Sequence, residues 1–117
     1  LKLKATLNET KSIGIIISQI KHTSNLESRI NKIPTYSDME YGKMLKQNSS
    51  YVFSLFFPHY YYDSIRNDWI YLIPRKTRDG NLRIMSLSCN PAICTYNDTN
   101  NSYEQDIWIR DYINKKR

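Results

Sequence analysis

The sequence is poor in residue types that carry recognisable chemistry. It holds two histidines, two cysteines and three glycines in 117 residues, and no apolar run approaches the roughly eighteen residues of a membrane-spanning helix. Gly14, Gly42 and Gly80 are isolated, which excludes a phosphate-cradling glycine loop. His22 and His59 share no helical face, and no serine stands in a strand-turn-helix nucleophile context, so metalloprotease and hydrolase signatures are missing. Neither histidine lies near the cysteines in sequence, which leaves no zinc ligand set. The expectation is a chain with no catalytic residues, no cofactor and no metal.

What the sequence does have is tyrosine and positive charge. Ten tyrosines stand against three phenylalanines and two tryptophans, so much of the buried ring surface must also find hydroxyl partners. Apolar residues make up 40% and charged residues 24%, ordinary globular usage for a single domain over residues 1–117. The net charge of +6 admits polyanionic partners. The charges are spread along the chain, however. The densest group, Arg75, Lys76, Arg78 and Arg83, straddles an expected turn, and Lys115, Lys116 and Arg117 end the chain. A solvated hairpin tip and a charged tail account for them, and nucleic acid is not the favoured partner.

Periodicity and turn chemistry suggest an α+β fold, with an antiparallel sheet of four or five strands and two or three helices on one side. The β-branched stretch from Ser12 to Lys21 reads as a strand, although Leu3, Leu7, Ile13, Ile16, Ile17 and Ile20 also approximate a helical stripe. Ser37 and Glu40 form a capping-box pattern that predicts a helix over Asp38 to Gln47, with Tyr41, Met44 and Leu45 inward. The segment from Tyr51 to Phe57 is the strongest strand signal, closed by Pro58. Trp69 to Ile73 and Asn81 to Ser88 predict a hairpin turning at Asp79 and Gly80. Ile93 to Tyr96 is expected to pair briefly. Ser102 with Gln105 starts a C-terminal helix carrying Ile107, Trp108, Ile109, Tyr112 and Ile113, with a last edge strand as its competitor.

Cys89 and Cys94 enclose Asn-Pro-Ala-Ile, and Pro91 stiffens a turn able to bring the sulfurs together. A bridge there would need an oxidising compartment; two free, half-buried thiols are the alternative. Glycosylation-type triplets begin at Asn8, Asn48, Asn97 and Asn100, as chance would produce in a chain so crowded with Asn, Ser and Thr. The chain starts at Leu1, from which a signal peptide or membrane anchor upstream is expected.

The segment Phe56-Phe57-Pro58-His59-Tyr60-Tyr61-Tyr62 carries more large rings than one core can face. Phe57, His59, Tyr60, Tyr61 and Tyr62 are therefore the candidate binding residues, and His59 the candidate pH-sensing group among them. The competing expectation packs alternate rings into the core. An enzymatic alternative pairs His22 with His59 as acid and base of a small secreted ribonuclease-like toxin.

In its closely spaced Cys89 and Cys94, its small chain with the excess of Ile, Asn, Lys and Tyr that an AT-rich coding sequence gives, and its non-Met start, the protein resembles the extracytoplasmic domains of membrane-anchored bacterial virulence regulators of the ToxR type and their accessory partners. The resemblance covers six residues. It implies a noncatalytic periplasmic sensory domain, anchored in the membrane upstream, with a protein partner in the same membrane or periplasm and a small ligand as a further candidate. A second likeness is to the globular head of a type IV pilin, which implies that the stripe from Leu3 to Ile20 is one amphipathic helix.

Overall fold

The strands begin where β-branched and aromatic residues cluster. The computed structural model describes residues 2–99 and 103–115, and places strands at β1 (Val52–Phe56), β2 (Trp69–Lys76), β3 (Met85–Asn90) and β4 (Thr95–Asp98). Each pairs antiparallel with the next, giving one sheet in the order β1-β2-β3-β4. Among the described residues, helices α1 (Lys2–Thr10), α2 (Gly42–Asn48) and α3 (Tyr103–Ile113) complete an α+β fold.

Side-chain alternation gives the sheet two unlike faces. The inner face presents Ser54, Phe56, Tyr71, Ile73 and Ser86, and α3 lies against it. The Tyr71 hydroxyl donates to the Gln105 carbonyl at 2.9 Å. The Ser86 hydroxyl donates to the Asp106 carboxylate at 3.1 Å. The buried Gln105 amide reaches back to the carbonyls of Ile70 and Leu87, a cross-strand pair, at 3.3 and 3.1 Å. Helix and sheet are thus joined by hydrogen bonds as well as by apolar contact, which leaves the buried amide satisfied.

The core is aromatic. Phe56 and Tyr112 centre on each other at 5.3 Å, and Trp108 stacks on Tyr112 at 5.0 Å and Tyr71 at 5.8 Å. Ile33, Ile73 and Ile109 fill the remainder. Tyrosines this deep need hydroxyl partners, and the Tyr112 oxygen finds them by accepting from the Lys32 N–H at 2.8 Å and donating to the Ile30 carbonyl at 3.3 Å. Burial pushes the phenol pKa values of Tyr71 and Tyr112 well upward, so both remain neutral donors.

The outer face carries Phe53, Leu55, Ile70, Leu72, Met85 and Leu87, and is covered at its Ile70 end, where Ile70 is buried. Register aligns Leu55, Leu72 and Met85 in one cross-strand row, of which Leu55 remains 57% and Met85 37% exposed.

Several local expectations need correction. The strand expected over Ser12 to Lys21 does not form, and neither does a continuous helix from Leu3 to Ile20. Helix α1 stops at Thr10 in a Schellman turn: Lys11 adopts a left-handed φ of 53°, its N–H bonds the Asn8 carbonyl, and the Ser12 N–H bonds the Leu7 carbonyl. Leu7 then packs on Gly14, where no side chain stands in its way. Residues 12–19 follow as irregular chain, and only Ile20 forms a bridge, to Met39.

The helix expected from Asp38 begins later, at Gly42. The capping box uses Thr35 and Asp38 rather than Ser37 and Glu40, and it caps a 3-10 turn over Tyr36–Asp38. Met39 and Glu40 then pair with the chain around Ile20, and Tyr41 turns left-handed at φ 56°, so the α-helix cannot propagate through them. Of the residues expected inward, Tyr41 and Met44 are exposed and Leu45 is half-buried.

The hairpin of β2 and β3 forms with a wider tip than a two-residue turn. Strand β2 runs on to Lys76, where it pairs with Val52 of β1, so β3 begins only at Met85. Gly80 does take the left-handed φ of 72°, and its carbonyl accepts the Thr77 hydroxyl at 2.8 Å. The brief pairing after the cysteines occurs as β4, and residues 107–113 are helical rather than an edge strand. Ser102, Lys116 and Arg117 lie outside the described residues.

Candidate functional site

The aromatic segment after β1 is divided by one turn. Pro58 opens a 3-10 turn over Pro58–Tyr60, which its fixed φ favours. Phe56, before the turn, points into the core, and Tyr61, after it, stacks on Phe56 at 6.2 Å. Tyr62 reaches the Tyr112 hydroxyl at 3.2 Å, joining the network over the Ile30 carbonyl. Tyr60 is left on the outside, 69% exposed, with its ring set edge-on to Tyr61 at 4.9 Å. The expected division between core and surface therefore falls inside a run of three tyrosines.

Tyr60 and Tyr61 form one wall of an open cleft of about 440 Å³, and Glu27 and Lys32 form the other. Lys32 also lies 5.8 Å over the Tyr62 ring, an attractive cation–π placement. Burial, then the neighbouring Tyr60 and Glu27, push the Tyr61 pKa up, so its hydroxyl stays neutral. The cleft thus offers two ring faces or edges, one anion, one cation and phenolic groups. It can hold an extended or turned peptide by stacking and hydrogen bonding.

Glu27 and Lys32 belong to a segment with no regular pattern in the sequence, and nothing there marked them as site residues. They are held by a clamp centred on the buried Asp38. The Asp38 carboxylate receives the Arg29 guanidinium in two bonds of 2.9 and 3.1 Å, the Thr35 N–H at 2.8 Å and the Thr35 hydroxyl at 3.1 Å. Ser54 of β1 adds a bond to the Pro34 carbonyl at 2.7 Å, fixing the loop to the sheet.

His59 and Phe57 do not line this cleft. The His59 ring is half-buried, 5.9 Å from the Phe57 ring, with Nδ1 2.8 Å from the Ile65 carbonyl. A carbonyl only accepts, so Nδ1 carries a proton and His59 ties down the turn after Pro58. The side chain of His22 lies outside the described part of the structure, and the ribonuclease-like pairing depends on it. No cluster of three metal-ligating side chains occurs among the described residues, and no described helix is long and apolar enough to cross a membrane.

The two cysteines flank the β3–β4 turn as free thiols. The expected ring-closing bond is not formed in this structure: the Cys89 thiol is directed at the Asn67 carbonyl and the Cys94 thiol at the Pro91 carbonyl, each at 3.8 Å. Cys94 takes a left-handed φ of 53° at the turn's end. Cys89 lines a polar cleft of about 490 Å³ with Asp68, Asn90 and the Arg66 side chain, the last engaged by Asp68 at 2.8 and 3.0 Å. Burial, then the Asp68 charge, push the Cys89 pKa upward, the opposite of what a nucleophilic thiol requires. Iodoacetamide should therefore modify exposed Cys94 at least about tenfold faster than Cys89 in the folded protein. Peptide mass spectrometry of a time course reads the two rates, and equal rates would contradict this placement of the sulfurs.

No protein-family model matches the chain, and no curated protein sequence matches it.

Proposed function

We propose that this chain is a noncatalytic protein-binding domain that receives a peptide segment of its partner on the Tyr60–Tyr61 ledge. The observation that carries the reading is Tyr60 itself. Its neighbours Phe57, Tyr61 and Tyr62 are half-buried, whereas this ring is left 69% exposed and lines a cleft with one charge of each sign. Exposed tyrosine gives broad contact area at small entropic cost, which is why it concentrates where proteins meet. The clamp at Asp38 and the histidine tie at Ile65 hold both walls in place before a partner arrives, so little ordering remains to be done on binding.

In this reading His59 is the responsive element. Its Nδ1–H is committed to the Ile65 carbonyl and its ring lies 5.9 Å from the Phe57 ring, so a change at the imidazole would be felt at the turn that carries Tyr60. A periplasmic sensory role of the regulator type would add an oxidised Cys89–Cys94 pair; isolation from the native host under alkylating conditions, without reductant, would reveal it as a protein that accepts no label.

A photo-activatable aromatic residue introduced at Tyr60 should form a discrete adduct with another protein in native cells. The same residue at Arg78, on the exposed hairpin tip, should not. Adducts of equal yield from both positions, or from neither, would overturn the ledge as the binding surface.

A further inference from the structure

Two apolar surfaces of this chain lack a partner within the described residues, and they are complementary in kind. One is the segment between α1 and the bridge at Ile20, where Ile13, Ile15 and Ile17 are 93%, 87% and 91% exposed. Three β-branched residues at alternate positions share one side of a chain when it is extended. The segment is rooted: the Ser18 hydroxyl donates to the Glu40 carbonyl at 3.0 Å, and the Gln19 carbonyl accepts the Glu40 N–H at 3.0 Å. Beyond Ser18 it leaves the body as an arm, and α1 at its far end buries no residue. The other surface is the outer face of the sheet, along the row Leu55, Leu72 and Met85.

We infer that two copies of this chain associate by exchanging these arms, the Ile13–Ile17 segment of each lying across the outer sheet face of the other. Area supports a second copy as the occupant. Burying one isoleucine side chain removes on the order of 100 Å² of apolar surface, so three give about 300 Å² on the arm and a similar area on the face beneath. One such contact, at about 600 Å², is too small to be stable alone. Exchange about a twofold axis repeats it, reaching about 1,200 Å², the lower bound for a specific interface. An arm folding back on its own chain would bury only the single contact. The association is apolar between copies that each carry a net charge of +6, so added salt strengthens it by screening their repulsion. It uses neither Tyr60 nor the cleft beside it, and is independent of the binding role proposed for that ledge.

Sedimentation equilibrium of the whole chain should show a monomer–dimer equilibrium that shifts toward dimer between low and high salt. Ile15→Lys with Ile17→Lys on the arm, and separately Leu55→Lys on the face, should each weaken dimerisation about a hundredfold. Met85→Lys provides a second face variant should Leu55→Lys unfold, as read by circular dichroism. Mixing the arm variant with a face variant leaves one intact arm-on-face contact of about 600 Å², so the mixture should stay monomeric over the range in which the wild-type chain dimerises. A wild-type chain that stays monomeric at every concentration and salt, a dimer indifferent to either variant, or a mixture that dimerises as readily as the wild-type chain would each overturn the exchange. A face variant that blocks binding of some other protein while leaving the wild-type chain monomeric would assign the face to a different partner and overturn it equally.

Discussion

Phe56→Ala is expected to destabilise the domain by about 3–5 kcal/mol, the range for truncating a fully buried phenylalanine. Phe56 is 1% exposed, and four other rings have it as a neighbour: Tyr112 at 5.3 Å, Tyr61 and Trp108 at 6.2 Å and Tyr71 at 6.3 Å. Those rings come from β2, α3 and the segment after Pro58, and the hydroxyl bonds of Tyr71 to the Gln105 carbonyl and of Tyr112 to the Ile30 carbonyl limit how far these two can close the gap. The cavity therefore persists, and the loss falls toward the upper end of the range. Against a total stability of about 5–15 kcal/mol for a domain of this kind, it should lower the thermal midpoint by about 15 °C or more. Tyr60→Ala removes a ring two residues beyond the same strand-turn junction, but an exposed one, and should cost less than about 1 kcal/mol. Urea unfolding of the two variants measures both. Comparable losses would mean that the division of the aromatic run between core and ledge is misplaced.

That division shows how far local pattern could lead. The run from Tyr51 to Phe57 announced a strand because β-branched and aromatic residues favour a pleated, half-buried surface whatever surrounds it, and Val52–Phe56 is one. The C-terminal helix was legible for a similar reason: Ile109 and Tyr112 lie on one helical face. By contrast, the isoleucines from Ile13 to Ile20 carry the same propensity without sheet or core to meet, and in one chain they form neither element beyond a bridge at Ile20. Propensity there has no tertiary contact to act through. The capping box was displaced for a subtler reason. Both Thr35 with Asp38 and Ser37 with Glu40 fit the local pattern, and what distinguishes them is Arg29, which charges the Asp38 site from outside the turn. A local motif says nothing of such a neighbour. For the same reason Glu27 and Lys32 could not be read as site residues: they become neighbours of Tyr60 and Tyr61 only because the Asp38 clamp folds residues 26–38 against the sheet.

Removing that clamp should therefore act on stability and on the ledge together. Asp38→Ala is expected to cost about 2–3 kcal/mol, since it deletes charge-assisted bonds to Arg29 and the bonds from the Thr35 N–H and hydroxyl. The value is held below that of a fully buried ion pair because the Arg29 side chain is 33% exposed and partly solvated. The Arg29 Nε is already buried without a hydrogen-bond partner, so the guanidinium left behind keeps only a long contact with the Ile33 carbonyl at 3.5 Å. Burial by itself would raise the Asp38 pKa, but the Thr35 N–H, the Arg29 bonds and charge and the Thr35 hydroxyl outweigh it, and the group ionises below the ordinary carboxylate range. A depressed folded pKa contributes stability that is present above the unfolded value, about 4, and is lost as pH falls through the folded one. The wild-type protein should thus lose stability on acidification below about pH 4 more steeply than Asp38→Asn, whose amide has no such proton to take up. Partner binding at Tyr60 should weaken in Asp38→Asn at neutral pH even where the chain remains folded, because Glu27 and Lys32 lose their fixed position. If the two proteins showed parallel acid transitions by circular dichroism, Asp38 would not be the group that couples this loop to pH, and the preorganisation of the ledge would need another source.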